Sequence, residues 1–163
     1  MPRMDGVEFL KKLMPQYPLP VVVVKAVEMT FMDVAFIDVV ELEYPEELQF
    51  GNIIYVSFYA PVLGGMILHL PRECKKMIVE NIHGSNWEAL PPNEIDDCLV
   101  EVLNVLAGNF LNQYCGKGTR HSMSFPEIMF DESTIPAKDN YIDYYFDGEG
   151  KIFKVSVCIQ EQQ

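Results

Sequence analysis

The sequence lacks any long uninterrupted apolar run, although hydrophobic residues make up 49% of its 163 positions. Because a helix needs about 20 consecutive apolar residues to cross a bilayer, we expect no membrane-spanning segment. The opening residues MPRMDG also lack the basic-then-apolar order of a secretory signal peptide. These two absences favour a cytoplasmic protein.

Positive charge is also scarce, since 12 Lys and Arg stand against 24 Asp and Glu and the formal net charge is −12. Proteins bind the phosphate backbone of nucleic acids chiefly through Lys and Arg, so this composition argues against a nucleic-acid partner. No Lys or Arg occurs between Lys76 and Lys117. Any surface built from that stretch is therefore acidic or neutral.

Patterns typical of metal and nucleophile sites are missing as well. The four cysteines form no C-x-x-C pair and the three histidines are widely separated, which argues against a zinc site and favours reduced thiols. No Walker loop, G-x-S-x-G or G-x-G-x-x-G motif occurs. A nucleophile built from Cys115 and His121 stays open at this stage, but nothing in the sequence activates it.

The clearest positive signal is a long amphipathic helix that follows Pro91 and ends near Gly116. Asn93 is a suitable N-cap, and Glu94 places negative charge in the first turn, where free amide N–H groups favour it. Apolar residues then recur at helical spacing and predict one buried side. They are Ile95, Leu99, Val102, Leu103, Leu106 and Phe110.

The opposite side of this helix carries a polar stripe, formed by Asp97, Glu101, Asn104 and Gly108. Their spacing of i, i+4, i+7 and i+11 keeps them within about 60° of each other around the helix axis. A glycine in a helix interior costs roughly 1 kcal/mol relative to Ala, which is acceptable where a partner comes close. From composition alone, the stripe is either a solvated acidic face or a contact surface.

Three of these positions form a longer motif together with Pro126. Asp97, Glu101, Asn104 and Pro126 stand as D-x3-E-x2-N-x21-P, which resembles the D/S-x3-E-x2-N-x22-P signature of the CheC/CheX/FliY family of response-regulator phosphatases. The last gap is one residue shorter than in the family. The stretches LNVLAGNFLN and SMSFPEIMF also resemble this family, particularly its single-site CheX branch, and the resemblance runs from about residue 21 to the end.

The first helix has no second site of the kind that two-site members of the family carry. Those members have another E-x2-N there, whereas here Glu28 is followed three residues later by Phe31. The resemblance therefore implies one site.

The predicted elements suit the family fold, which is an α+β domain of two α-β-β-β units whose antiparallel sheet is covered by helices. The valine run VVVV would also suit a buried strand, but the family begins with a helix, and we predict one over Val21–Phe36. A further helix starts at Pro71 and ends at Gly84. The predicted strands are Val39–Tyr44, Asn52–Tyr59, Gly65–Leu70, Arg120–Phe130 interrupted at Pro126, and a Tyr141–Phe146 and Lys151–Ile159 hairpin across DGEG.

The resemblance also implies a function, the hydrolysis of the aspartyl phosphate on a CheY-like receiver. Asn104 would position the attacking water, Glu101 would pair with the receiver's active-site Lys, and Asp97 and Gly108 would lie in the contact. Pro126 would shape the adjoining strand rather than take part in chemistry. The receiver would supply Mg²⁺, so the chain would need no cofactor of its own, and a homodimer is expected.

Two alternatives to a phosphatase remain. One is a non-catalytic interaction module that holds a receiver or signalling partner through the same stripe, and the other is a structural dimer without a receiver partner. A phosphate-release assay with a phosphorylated receiver separates them from the enzyme, because binding without acceleration would select the module.

The first twenty residues differ from the rest. They resemble a fragment of the receiver domain of CheB-type methylesterases, without the phosphoacceptor Asp, and their own pattern predicts a short helix from Asp5 to Met14. We therefore predict an N-terminal appendage over residues 1–20 and a CheX-like domain over residues 21–163.

Overall fold

The computed structural model describes residues 18–49 and 51–160. In this part of the chain, three α-helices lie on one face of a seven-stranded antiparallel sheet. The helices are α1 (Leu19–Ala35), α2 (Arg72–His83) and α3 (Pro92–Cys115). The strands are β1 (Val39–Leu42), β2 (Gly51–Ala60), β3 (Leu63–Pro71), β4 (Ser122–Met123), β5 (Glu127–Met129), β6 (Ile142–Gly148) and β7 (Lys151–Gln160). The predicted α+β class and the order of its elements are confirmed.

The sheet is built from two interlocked halves. The first contains β1, β2 and β3, and the second contains β6, β7 and the interrupted strand formed by β4 and β5. The strand order of the sheet is β1-β6-β7-β3-β2, and the short strands β4 and β5 both pair with the outer side of β2. Each half therefore places its third strand at the centre, where β3 pairs with β7, and its first strand beside the second strand of the other half. Because neither half completes its sheet alone, the two predicted α-β-β-β units form one domain.

The core lies between the helices and the inner face of the sheet. Side chains alternate along each strand, and on β7 Phe153, Val155 and Val157 point inward with no exposed surface. The ring of Phe31 on α1 stacks on Phe153 with centroids 4.6 Å apart. On α3, Phe110 stacks on Phe58 of β2 at 5.8 Å. These ring pairs hold the two long helices on the sheet.

The ambiguous valine run belongs to helix α1. Val22 and Val23 are buried, whereas Val21 is half exposed, and this three-dimensional pattern suits a helix with one covered side rather than a strand buried on both faces. Phe36 ends the helix in the left-handed conformation with φ 58°. Helix α1 therefore confirms the prediction of a helix at the start of the domain.

Helix α3 begins earlier than its N-cap signal indicated. The prediction of Asn93 as N-cap is wrong, because the helix starts at Pro92 with Pro91 in the capping position and no side-chain cap. Proline suits the first position of a helix, since it has no N–H to leave unpaired and its φ is already helical. The predicted apolar side is confirmed, because all six of its residues are buried.

The C-terminal hairpin and the interruption at Pro126 also match the sequence. Strands β6 and β7 are joined by Glu149 and Gly150, which have φ values of 53° and 89°, and Asp147 Oδ1 accepts a 2.7 Å hydrogen bond from the N–H of Gly150. Pro126 lies between β4 and β5. The helix predicted from Asp5 to Met14 lies outside the described residues.

Within the described ranges, none of the helices is both long enough and apolar enough to cross a bilayer.

Candidate functional site

The polar stripe lies on the outer side of α3. Asp97 and Glu101 are exposed, and Asn104 and Gly108 are half-buried. At a rise of about 1.5 Å per residue, the stripe is about 16 Å long. The described residues do not cover the stripe, so all four positions remain accessible to solvent or to a partner.

The polar side chains of the stripe have no hydrogen-bond or ion-pair partner in the described part of the chain. Among residues 18–49 and 51–160, Asp97, Glu101 and Asn104 make no side-chain hydrogen bond and no ion pair. The amide of Asn104 therefore keeps both of its N–H donors and its carbonyl acceptor for another molecule. A carboxylate and an amide lie one helical turn apart, at Glu101 and Asn104, with free hydrogen-bonding capacity.

A polar contact with α1 helps to set which side of α3 faces outward. The amide of Asn109 donates a 2.9 Å hydrogen bond to the hydroxyl of Thr30, a residue with no exposed surface. One turn later, the amide of Gln113 approaches the sulfur of Met29 at 4.0 Å. The apolar side of α3 and this contact together leave Asn104 on the open side.

Pro126 lies between β4 and β5, inside the fold rather than on its exterior. It is buried, and the strand that follows it, β5, pairs with β2 through Ile54 and Ile128. Its neighbour Phe125 is 82% exposed. The expected role of Pro126 in shaping the strand stays a prediction. The exposed ring of Phe125, which lies next to the motif, is a residue that the sequence analysis did not single out.

A groove opens between the three helices, next to the stripe. Its volume is about 280 Å³. Asp97 and Glu101 line it, together with a set of residues that are far apart in the sequence: Val34, Ile82, His83, Glu94, Cys98 and Val102. We call this the three-helix groove. Periodicity within one helix does not reveal it, because α1, α2 and α3 each contribute to it.

A larger groove of about 780 Å³ lies between α1 and α3, near the C-terminal end of α3. Val21, Lys25 and Met29 of α1 line one wall, and Asn112 and Gln113 of α3 line the other. None of the stripe residues reaches it. This groove is therefore separate from the stripe, and substitutions in it can serve as controls for substitutions at the site.

The described residues do not form a metal site or an activated cysteine nucleophile. Within the described part of the chain, no group of three or more His, Cys, Asp or Glu side chains is placed to hold a metal ion. Burial raises the pKa of the Cys115 thiol to about 11, and no hydrogen bond joins that thiol to His121 in the described residues. The Cys115 and His121 pair therefore lacks the activation that a nucleophile needs.

Comparison with protein families finds one model that matches this chain. The model is that of the chemotaxis phosphatase CheX, and it matches residues 53–146. This range contains helix α3, the whole polar stripe and Pro126.

Solved structures share the fold. A chain of the CheX–CheY–BeF3–Mg²⁺ complex from Borrelia burgdorferi superposes with a TM-score of 0.67 at 19% identity, over 98% of this chain and 100% of that one. The chemotaxis protein CheX from Vibrio vulnificus superposes with a TM-score of 0.69 at 15% identity, over 88% and 97% of the two chains. At such identities, the likeness is one of fold.

A curated relative matches part of the sequence. It is a protein-glutamate methylesterase/protein-glutamine glutaminase of Syntrophotalea carbinolica, 51% identical over 91 residues. The match covers 55% of this chain but 23% of that protein, so the chain spans about a quarter of the length of this relative.

Proposed function

We propose that this chain, which belongs to the family of the chemotaxis phosphatase CheX, accelerates hydrolysis of the aspartyl phosphate on a CheY-like response-regulator receiver. The observation that carries the proposal is the accessible and uncommitted carboxamide of Asn104, one helical turn from the exposed carboxylate of Glu101. These two positions belong to the motif through which the sequence resembles the phosphatases.

The reaction requires a water molecule in line with the phosphorus–oxygen bond that breaks. Water attacks phosphorus, the bond to the aspartate oxygen breaks, and the products are inorganic phosphate and the free carboxylate. Asn104 suits the positioning of this water, because an amide donates and accepts hydrogen bonds at once and carries no charge to repel the phosphoryl oxygens. The contribution of Asn104 is therefore orientation rather than proton transfer.

Glu101 and Asp97 would align the two proteins. A receiver active site presents a Lys, and a charge-assisted hydrogen bond from that Lys to Glu101 would bring the phosphoryl group to Asn104. Asp97, one turn before Glu101 and equally exposed, would add to the attraction. Mg²⁺ would arrive with the receiver and neutralise phosphoryl charge there, and this chain's part in the reaction would be to hold the water and the partner.

The test is the replacement of Asn104 by Ala, followed by measurement of phosphate release from a phosphorylated receiver. We expect the acceleration to fall by about 10²-fold or more, with the folded state retained because the Asn104 side chain has no hydrogen-bond partner among the residues that the structure describes. Asn112→Ala is the matched control, since Asn112 is an exposed amide on the same helix. Full activity in Asn104→Ala would refute the proposed role.

The same experiment separates the enzyme from the alternative of a non-catalytic interaction module. A wild-type chain that binds the phosphorylated receiver without hastening phosphate loss would be such a module. A cytoplasmic homodimer forms part of the proposal through the family resemblance, and the molar mass in solution tests the dimer independently of activity.

A further inference from the structure

The three-helix groove shares two residues with the polar stripe. Asp97 and Glu101 line the groove and also belong to the stripe. Any partner that reaches Glu101 therefore lies over the mouth of the groove. The remaining walls are largely apolar, and they come from all three helices through Val34, Ile82 and Val102.

The rim of the groove is negatively charged and unpaired. Glu94, Asp97 and Glu101 line it beside His83, and none of the described residues that line it is Lys or Arg. Within the described residues, none of these three carboxylates forms an ion pair. An occupant that buries them under its own surface must therefore bring positive charge, because an unpaired carboxylate is costly to remove from water.

The size of the groove limits what enters it. At about 280 Å³, it lies at the lower end of the range of about 300–1,000 Å³ typical of sites for small molecules and cofactors. Its apolar walls favour an aliphatic or aromatic side chain over a polar group. The groove therefore suits an anchor residue of a protein partner.

We propose that the three-helix groove receives an apolar side chain of the receiver, flanked by a Lys or Arg that pairs with Glu94. The identity of this partner rests on the proposed function. The contact would lie beside the Glu101 pairing and would select receivers by their surface rather than by their phosphorylated centre. Glu94, Val34 and Ile82 would then determine affinity, while Asn104 determines the rate of the reaction.

Two variants test the groove by different physical means. Val34→Met fills it with a longer side chain, and Glu94→Lys reverses the charge at one position of its rim without changing the stripe residues. Their matched controls are Val21→Met, which makes the same change in the larger groove on the same helix, and Glu46→Lys, which makes the same charge change in an exposed loop.

The probe is the set of CheY-type receivers from the same genome, each loaded with beryllofluoride and Mg²⁺. Binding is measured by titration, and phosphate release is measured separately at saturating phosphorylated receiver. We expect both groove variants to raise Kd about tenfold or more and to leave the saturated rate unchanged. Val34→Met should leave Tm unchanged, whereas Glu94→Lys should lower it slightly, because it removes negative charge from the first turn of α3. The effect of Glu94→Lys should shrink as salt is added, and both controls should bind as wild type does.

Wild-type affinity in both groove variants, or equal weakening in the controls, would overturn the inference. Binding without acceleration by the wild-type chain would overturn the proposed phosphatase and leave the groove variants to decide the inference. If none of the receivers binds the wild-type chain, both proposals fail.

Discussion

Asn109 of α3 donates a 2.9 Å hydrogen bond to the fully buried hydroxyl of Thr30 on α1, whereas Asn104, five residues earlier on α3, has no partner in the described residues. The two amides have the same chemistry and different surroundings. One joins the helices, and the other remains available to a second protein. This contrast yields the first prediction.

Replacing Thr30 by Val should destabilise the protein by about 1–2 kcal/mol, because the Asn109 amide would lose its acceptor in a partly buried position. Urea unfolding measures the change. Asn112→Ala, an exposed amide on the same helix, should change stability by less than about 0.5 kcal/mol. A Thr30→Val variant as stable as the wild type would show that the contact contributes nothing.

Gly108 offers a prediction in which stability and function diverge. Apart from the adjoining backbone of α3, a Cβ added there would meet no atom of the described residues within 4 Å, so the packing of this part of the chain does not require glycine. Gly108→Ala should therefore stabilise helix α3, by up to about 1 kcal/mol, while slowing phosphate release if a receiver packs closely there. The thermal midpoint and the phosphate-release rate give the two readouts.

Gly84 is the control for that substitution. It also has open space around it, but its φ of +66° lies in the left-handed region, where a Cβ costs about 1–2 kcal/mol. Gly84→Ala should lower the midpoint while Gly108→Ala raises it. A lower midpoint in Gly108→Ala would mean that glycine is needed there for folding rather than for a partner.

The cysteines should be unreactive in the folded protein. All four are buried and free, and burial raises the pKa of Cys74 to about 12 and that of Cys115 to about 11. Because the thiolate is the reactive form, a thiol reagent at about pH 8 should react slowly with native protein and with four thiols after unfolding. Rapid modification of Cys115 in the native state would restore it as a candidate nucleophile.

His69 on β3 should make stability depend on pH. Both ring nitrogens are buried, and among the described residues neither has a partner with the geometry of a hydrogen bond, although the backbone of Gln49 lies near the ring. Burial lowers the pKa of His69 below 6.5, and nearby Lys154 lowers it further, against smaller opposing effects from Glu132, Asp143 and the backbone of Gln49. The folded protein therefore keeps this imidazole neutral.

The direction of this pH dependence follows from how many protons the folded and unfolded chains bind. Below the unfolded pKa of 6.5, the unfolded chain takes up a proton that the folded chain resists, so the free energy of unfolding falls as pH falls. His69→Leu should lose less stability than wild type as the pH falls from about 7.5 to about 5.5. Above that window, the free energies of unfolding of the two proteins should depend on pH in the same way. Parallel curves throughout would show that His69 does not titrate differently on folding.

Much of the fold could be predicted from local patterns. The apolar spacing of α3, the helix start after Pro71 and the DGEG turn each produced the element expected, because each depends on residues adjacent in the sequence. The prediction of the N-cap was wrong because Asn93 and Pro92 both suit a helix start, and the helix begins at the proline. The pairing of β1 with β6 and of β4 and β5 with β2 depends on contacts between residues far apart in the chain, which periodicity does not contain.

By itself, the sequence determined the composition of the polar stripe and its grouping on one side of a helix, because 3.6 residues per turn is a property of the backbone. Only the tertiary structure decided that this side remains open, that Asn109 rather than Asn104 is held by α1, and that α1, α2 and α3 enclose an acidic groove beside the stripe. The physical reason is that exposure and shape belong to packed surfaces, which arise when distant segments come together.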